Sequence, residues 1–466
     1  MFQNKTNTSL YHLGTVENEG YNGNNKNRKA IKHMIRLLII ADDFTGALDI
    51  GVQFAACDVC NWEGIDPETM LRSFMNSCAV LVVDAETRHL SPAQAGEVVG
   101  KIVAQAEELA IPYIYKKTDS ALRGNIGAEL SAMMAAGKGR QLPFFPAFPQ
   151  MGRITFAGVH YIGQTPVAES VFGRDPFEPV KQSLVSDIIA EQSALPVHSC
   201  PAVKADEAVP DDSGILVFDA SSVEDFMRTG RALRRQNKLH LMAGCAGFGA
   251  VLPELLELNG ERSRLPTLDP KLLVVCGSVN PATQGQLAYA REHGFAGVHL
   301  TPEQKMSDGY WHTAEGREDM ARLHRLLAEH AYCIIDANDA PGDRLTADFA
   351  ADRGIDLEGI RQGIACSIGN VVKALFTDPN LGTLLITGGD TLLACMQSMG
   401  VRKLEPIGEM DIGVVVSRFT YRGVTRHVIT KSGGFGDPDL LLSLAMKISQ
   451  QSADDIKTTE GNQHDL

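Results

Sequence analysis

The chain has 466 residues, of which 44% are hydrophobic and 21% are charged, and its formal net charge is -14. This length predicts two or three domains of about 100–200 residues each, and the acidic balance argues against a nucleic acid as the main partner. No apolar run approaches the roughly 18 residues of a membrane span, and the N-terminus lacks a signal-peptide core. We therefore expect a cytoplasmic protein without a membrane partner.

Composition separates the ends of the chain from its body. Residues 1–33 are rich in Asn, Gly and Lys with almost no aliphatic periodicity, so a disordered extension is expected there. The polar residues 451–466 predict a tail. Between them, strand and helix patterns alternate, and the periodicity lapses from Leu258 to Pro270. This lapse predicts two domains, residues 34–262 and 270–450.

The first unit reads Leu-Leu-Ile-Ile-Ala-Asp-Asp-Phe-Thr-Gly-Ala-Leu-Asp and spans residues 37–49. Four uninterrupted aliphatic residues predict a strand that is buried on both faces. Asp42 and Asp43 follow its carboxyl end, where open parallel sheets bind ligands. Alternatively, Asp43 or Thr45 caps the next helix, which is predicted from Gly46 to Ala56. Two adjacent acids exceed what one cap requires, which favours a functional site.

The second unit places an arginine at an equivalent position. Residues 79–84 predict a strand, and Arg88 lies in the short loop that follows it. A solvated loop arginine is the alternative interpretation. The next helix is predicted from Ser91 to Leu109, because Ser91 can cap it and Pro92 suits its first turn.

The third unit carries the densest polar cluster of the chain. A strand from Tyr113 leads into five polar candidates and then into a helix through Ala136; the candidates are Lys116, Lys117, Asp119, Ser120 and Arg123. Cations, a carboxylate and a hydroxyl together suit a small polyhydroxylated anion, and the planar fork of Arg123 suits its carboxylate. Surface ion pairing is the alternative. Arg153, which follows Phe-Pro-Gln-Met-Gly, is a weaker candidate for the same cleft.

The C-terminal half repeats one design three times: a strand, a glycine turn and a helix. The three repeats begin at Leu272, Leu384 and Val428, and their helices are predicted over 282–293, 392–399 and 439–448. In the first repeat, Asn280 can cap the helix and Pro281 can occupy its first position. Each turn presents backbone N–H groups at the positive end of a helix dipole, which favours bound phosphate. Neither a Walker loop nor a dinucleotide fingerprint is present.

Five motifs in combination resemble the four-carbon acid sugar kinases. They are Ile-Ala-Asp-Asp-Phe-Thr-Gly-Ala, Lys-Lys-Thr-Asp-Ser-Ala-Leu-Arg-Gly-Asn, Phe-Pro-Gln-Met-Gly-Arg, Thr-Gly-Gly-Asp-Thr and Lys-Ser-Gly-Gly-Phe-Gly, and the resemblance spans residues 34–448. It implies an α/β kinase of two domains, each a mostly parallel sheet flanked by helices, with the active site in the interdomain cleft. The N-terminal domain would bind a tetronate, and the C-terminal domain would bind ATP with Mg²⁺.

The resemblance also implies roles for single residues. The sugar acid would contact Asp43, Arg88, Lys117, Thr118, Asp119, Ser120 and Arg123. ATP would contact Ser278, Gly388, Gly389, Asp390, Thr391, Gly433 and Gly434. Ala121 stands where many members have Thr, and the Mg²⁺ ligands are not identified.

The reaction expected from this resemblance is phosphorylation of the terminal hydroxyl of D-threonate or D-erythronate to the 4-phosphate. Asp390 is the first candidate for the general base and Asp43 the second. The alternatives are a 3-oxo-tetronate kinase, a non-catalytic sugar-acid sensor and an aspartyl phosphatase. The phosphatase requires Asp-x-Asp-x-Thr, a spacing that the adjacent acids of this chain do not have. The sequence is also compatible with a homo-oligomer.

Overall fold

The computed structural model describes residues 35–54, 57–61, 67–75, 78–137, 139–175, 178–204, 207–258, 265–431 and 436–461. The extension expected over residues 1–33 lies outside the described residues. So do residues 259–264, which fall within the predicted domain boundary.

The first domain contains eleven described strands and eight described α-helices. The strands are β1 (Leu37–Ala41), β2 (Asp58–Asn61), β3 (Val80–Asp84), β4 (Tyr113–Lys117), β5 (Gln141–Phe145), β6 (Arg153–Phe156), β7 (Val159–Ile162), β8 (Thr165–Pro166), β9 (Val197–Cys200), β10 (Gly214–Phe218) and β11 (Leu241–Gly244). The helices are α1 (Phe44–Gly51), α2 (Pro67–Phe74), α3 (Pro92–Glu108), α4 (Ile126–Ala136), α5 (Val185–Ala190), α6 (Val223–Arg235), α7 (Ala246–Gly249) and α8 (Leu252–Leu255).

The second domain contains seven described strands and seven described α-helices. The strands are β12 (Leu272–Cys276), β13 (Ala296–His299), β14 (Tyr332–Asp336), β15 (Thr383–Thr387), β16 (Lys403–Asp411), β17 (Val414–Tyr421) and β18 (Val424–Lys431). The helices are α9 (Pro281–Glu292), α10 (Pro302–Met306), α11 (Ala314–Glu329), α12 (Leu345–Arg353), α13 (Leu357–Leu375), α14 (Gly389–Met399) and α15 (Leu440–Gly461).

Each domain is built on a mostly parallel sheet, which confirms the predicted fold class. The first sheet has the order β2-β3-β1-β4-β11-β5-β10-β9, and all of its neighbours are parallel. The second has the order β13-β14-β12-β15-β18-β17-β16, with antiparallel pairing only among β18, β17 and β16. Strands β2 and β16 pair antiparallel, so the two sheets join into one of 15 strands.

Several local signals act as the sequence predicts. Strands β1, β3, β12 and β15 are buried at every position, which explains their unbroken apolar runs. Ser91 forms a capping box with Gln94 at the start of α3. Asn280 caps α9, and Pro281 is its first residue.

Several helix boundaries differ from the predictions. Helix α1 begins at Phe44, two residues early, because Asp43 caps it, and it ends at Gly51 instead of continuing to Ala56. Helix α14 begins at Gly389 instead of Leu392, because Gly388 has φ +92° and reverses the chain directly before it. Helix α15 continues to Gly461, so the predicted tail is helical over 451–461; no Gly or Pro interrupts it between Leu440 and Glu460.

Candidate active site

The candidate acid-binding residues meet at one edge of the first sheet. The register of β1, β3 and β4 aligns Ala41 with Asp84 and with Lys117. The segments that follow these three strands therefore emerge side by side, as expected at the carboxyl ends of parallel strands. They carry Asp42 and Asp43, Arg88, and the cluster 117–123.

Arg88 joins the two adjacent acids. Its Nε and Nη2 donate to Asp42 Oδ2 at 2.9 and 2.8 Å, and its Nη1 donates to Asp43 Oδ2 at 2.5 Å. Burial raises the pKa of Asp42, but Arg88, Lys116 and Lys117 outweigh it and the net pKa is lowered. Burial of Asp43 prevails over Arg88, so the pKa of Asp43 is raised. The solvated-loop interpretation of Arg88 is therefore wrong.

Asp43 also has the structural role that the sequence left open. Its Oδ1 accepts a hydrogen bond of 2.7 Å from Gly46 N and thereby caps α1. Thr45 lies inside the first turn and is not the cap. One carboxylate thus orients α1 through one oxygen and binds Arg88 through the other.

The two adjacent lysines have different environments. Lys116 is fully buried and lies 3.1 Å from Glu129 Oε2, so it belongs to the core. The ammonium of Lys117 donates to the Thr118 carbonyl at 2.9 Å. A Cβ on Gly46 would lie 2.8 Å from Lys117 Nζ, so this glycine lets the lysine approach α1.

Arg123 is an internal ion-pair partner in this structure. Its Nε and Nη2 donate to the two oxygens of Asp119 at 2.9 and 3.1 Å, and its Nη1 lies 3.3 Å from Asp175 Oδ2. Burial raises the pKa of Asp119, but Arg123 and Arg88 reverse this and hold it well below the usual value. The fork predicted to receive a substrate carboxylate faces a carboxylate of the chain itself.

Sequence reasoning missed most of the residues that hold Ser120. Arg153 Nη1 donates to Ser120 Oγ, and His160 Nε2 donates to the Ser120 carbonyl at 2.9 Å. Thr155 Oγ1 donates to His160 Nδ1 at 3.1 Å, and burial lowers the pKa of His160 to about 4. His160 and Thr155 lie on the small antiparallel sheet β6-β7-β8 and belong to no recognisable motif. The only sequence signal was Arg153.

Asp49 is a further carboxylate that the sequence analysis did not place in the site. It is half-buried and lies one helical turn beyond Thr45 on α1. Burial raises its pKa to about 7; Lys117 lowers it, while Asp43 and Glu409 raise it further. Its position at the end of the first motif was the available signal.

The strands that lead into the three predicted phosphate turns are neighbours in the second domain. Strands β12, β15 and β18 are parallel neighbours whose register aligns Cys276, Thr387 and Lys431. A Cβ on Gly277 would lie 2.5 Å from Thr391 Oγ1, so the Ser278 loop packs on the start of α14. Gly433 and Gly434, which were predicted to contact ATP, lie outside the described residues.

The start of α14 has the features of a phosphate site. Gly388 precedes it without a side-chain cap, so the first backbone N–H groups of the helix are open to a ligand. Lys431, at the end of β18, is fully buried nearby, and burial lowers its pKa to about 8. Gly389, Asp390 and Thr391, expected in a loop, form the first helical turn.

The two sets of residues approach each other where α1 meets α14. A Cβ on Gly389 would collide with the Thr45 side chain and lie 2.8 Å from Thr45 N. Asp390 is exposed in the first turn of α14. Burial raises the pKa of Glu86, in the loop of Arg88, to about 7, and the charges of Asp43 and Asp390 raise it further.

An exposed carboxylate at the start of α14 suits Mg²⁺. Among the residues that the structure describes, no group of three His, Cys, Asp or Glu side chains is placed to hold a metal. Magnesium usually takes one or two protein carboxylates together with substrate phosphates and water. Asp390 is exposed beside the open N–H groups of α14 and fits that donor set.

None of the described helices combines the length and apolarity that crossing a bilayer requires.

Two family models match successive parts of the chain. A family model described as a sugar-binding N-terminal domain matches residues 37–252, and one described as a nucleotide-binding C-terminal domain matches residues 273–441. Fold and matches together define a two-domain protein with a sugar-binding and a nucleotide-binding domain.

Curated relatives of the chain are kinases of four-carbon sugar acids. The chain is 28% identical to a D-threonate kinase of Salmonella typhimurium, over 90% of this chain and 100% of the relative. It is 27% identical to a D-erythronate kinase of Heliobacterium modesticaldum (90% and 99% covered) and 26% identical to a 3-oxo-tetronate kinase of Cupriavidus necator (88% and 96% covered). The chain belongs to the four-carbon acid sugar kinase family.

Solved structures show the same fold. A crystal structure from Salmonella typhimurium LT2 matches with a TM-score of 0.70 at 21% identity, covering 88% of this chain and 98% of the other. A Haemophilus influenzae protein matches with a TM-score of 0.60 at 19% identity, covering 89% and 99%.

Proposed function

We propose that this member of the sugar-acid kinase family transfers the γ-phosphate of ATP to the terminal hydroxyl of a four-carbon sugar acid. The observation that carries the proposal is the contact between Thr45 and Gly389. It sets the acid-binding edge of the first sheet beside the open N–H groups of α14. Phosphoryl transfer depends mainly on such positioning and on neutralisation of charge.

The proposed roles follow the position of each residue. The acid is held at the first sheet by Asp43, Arg88, Lys117, Thr118, Asp119, Ser120 and Arg123. The triphosphate is held at the second sheet by Ser278, Gly388, Gly389, Asp390 and Thr391, with Gly433 and Gly434 in the segment outside the described residues. Mg²⁺ would neutralise phosphate charge beside Asp390 when it is bound.

The chemical step needs one proton acceptor. The terminal hydroxyl oxygen forms a bond to the γ-phosphorus, the bond from that phosphorus to the bridging oxygen breaks, and ADP leaves. The hydroxyl proton passes to a carboxylate, for which Asp390 is the first candidate and Asp43 the second. Asp390 lies next to the predicted phosphate turn, whereas both carboxylate oxygens of Asp43 already accept hydrogen bonds, from Gly46 N and from Arg88.

The substrate is proposed as D-threonate or D-erythronate. The 3-oxo-tetronate kinases among the relatives make a 3-oxo acid the competing substrate. A coupled assay of ADP formation with Mg²⁺ across both tetronates, their L-enantiomers and 3-oxo-tetronates tests the proposal. We expect turnover only with an acid present and a phosphate ester on C4 by ³¹P NMR. Acid binding without ADP formation would favour the non-catalytic sensor.

A further inference from the structure

Arg153 lies beside Ser120 of the acid-binding cluster, and Ser120 Oγ is the hydrogen-bond acceptor that its guanidinium has among the described residues. Arg153 is the first residue of β6 and follows Gly152, whose φ of +64° reverses the chain after the turn 149–151. Its Nη1 donates to Ser120 Oγ, and its Cζ lies 5.0 Å from the centre of the Phe172 ring. Arg123 Cζ lies 5.3 Å from the same ring.

Charge pairing distinguishes Arg153 from the other two arginines of the cluster. Arg88 is paired with Asp42 and Asp43, and Arg123 with Asp119 and Asp175. Arg153 has no ion pair with any carboxylate in the described ranges. It is half-buried, and burial lowers its pKa, with Asp119 acting in the opposite direction. A partly desolvated guanidinium without an anion is unfavourable, and a bound carboxylate would correct this.

We propose that Arg153, and not Arg123, binds the carboxylate of the sugar acid. This inference rests on the proposed function and deepens it. The guanidinium fork can donate two hydrogen bonds to a carboxylate while Ser120 keeps its contact with Nη1. Arg123 is then a positioning residue, which fixes Asp119 and one side of the Phe172 ring.

The assignment gives the bound acid a direction. Ser120 follows β4, Asp43 follows β1, and these strands are neighbours in the sheet. With its carboxylate at Arg153 and Ser120, the acid extends across the end of β4 towards Asp43 and Thr45. Its terminal hydroxyl then lies beside Gly389, where the phosphate is expected.

Binding measurements on the full chain test the assignment. The probes are the tetronate with the highest turnover and its uncharged amide, titrated by calorimetry into wild type, Arg153→Ala, Arg153→Lys and Arg123→Ala. We expect Arg153→Ala to bind the acid about 10- to 100-fold more weakly and to lose the preference for acid over amide. Arg153→Lys should keep part of that preference, and ATP affinity should stay within about twofold.

Arg353→Ala is the matched control, because Arg353 also stacks on a phenyl ring, that of Phe349 at 3.5 Å, but lies on α12 of the second domain. It should match wild type in both affinities. Arg123→Ala should weaken acid binding but keep the preference for acid over amide. Full retention of that preference by folded Arg153→Ala, or its loss in Arg123→Ala instead, would overturn the assignment of the carboxylate to Arg153 while leaving the proposed function intact. A wild type that neither binds nor phosphorylates any tetronate would refute the proposed function as well.

Discussion

Adjacent residues of this chain perform different tasks because their side chains reach different partners. Asp42 is fixed as an anion by Arg88, whereas Asp43 divides its two oxygens between Arg88 and the start of α1. Lys116 is buried and paired with Glu129, whereas the ammonium of Lys117 lies against α1 at Gly46. Residue type alone therefore does not separate a core ion pair from a binding group.

The two candidate bases differ in a measurable way. We expect Asp390→Asn to lower kcat by about 100-fold or more, because an amide cannot accept the hydroxyl proton. Asp43→Asn should chiefly raise KM for the acid, because it removes a charge from Arg88 while an amide oxygen can still cap α1. Steady-state kinetics with both substrates varied provide the test. A large loss of kcat in Asp43→Asn alone would exchange the two roles.

His160 predicts a dependence of stability on pH. Its pKa is about 4 in the fold, below the 6.5 of a free histidine, because the ring is buried between Ser120 and Thr155. Between pH 6.5 and 4, His160 is protonated in the unfolded chain but stays neutral in the folded chain. The free energy of unfolding therefore falls as the pH falls. The loss from this group is about 3 kcal/mol by pH 4.

Urea unfolding of wild type and His160→Gln isolates this contribution. Gln keeps a donor for the Ser120 carbonyl but does not titrate. The stability advantage of wild type over the variant at pH 7 should shrink as the pH falls towards 4. Parallel stability curves for the two proteins across this range would contradict the assignment.

At the scale of elements, the contact between α1 and α14 is the decisive one. Gly389 lies against Thr45, and a side chain there would meet the backbone N of Thr45 as well as its hydroxyl. We expect Gly389→Ala to weaken ATP binding by about 1–3 kcal/mol through overpacking. Thr45→Ala in the same chain should recover part of the loss, because it removes the colliding hydroxyl.

Calorimetric titration of ATP into the two single variants and the double variant measures this coupling, expected at about 0.5–3 kcal/mol. Acid binding should change less than ATP binding. Strictly additive losses would show that Gly389 and Thr45 do not contact each other in solution.

At the scale of the whole molecule, the two domains share a sheet and a core. Leu404 on β16 is fully buried at the junction with β2, and one hydrophobic cluster contains Leu37 and Leu48 of the first domain together with Leu273 and Leu404 of the second. Leu404→Ala should cost about 2–5 kcal/mol. Because the cluster spans both domains, they should unfold in one calorimetric transition that shifts as a unit.

Leu345→Ala is the control for this prediction, since Leu345 is 54% exposed on α12. It should change the free energy of unfolding by less than about 0.5 kcal/mol. Two resolved transitions, of which Leu404→Ala shifts only one, would mean that the shared core does not couple the domains.

The sequence determined what local physical chemistry controls. Unbroken apolar runs identified β1, β3, β12 and β15, and cap residues such as Ser91 and Asn280 identified helix starts. Adjacent strand ends then followed from parallel topology, and the motifs indicated the family. These signals are local because strand burial and capping act within a few residues.

Only the tertiary structure decided which groups meet. Arg123 pairs with Asp175, Arg153 and His160 support Ser120, and β2 joins β16. These contacts link residues that are between 33 and 345 positions apart in the chain. Side chains so distant in the chain are brought together by packing, which leaves no periodicity or spacing in the sequence. Arg153 could therefore be recognised as the arginine without a paired carboxylate only once the structure had shown the partners of Arg88 and Arg123.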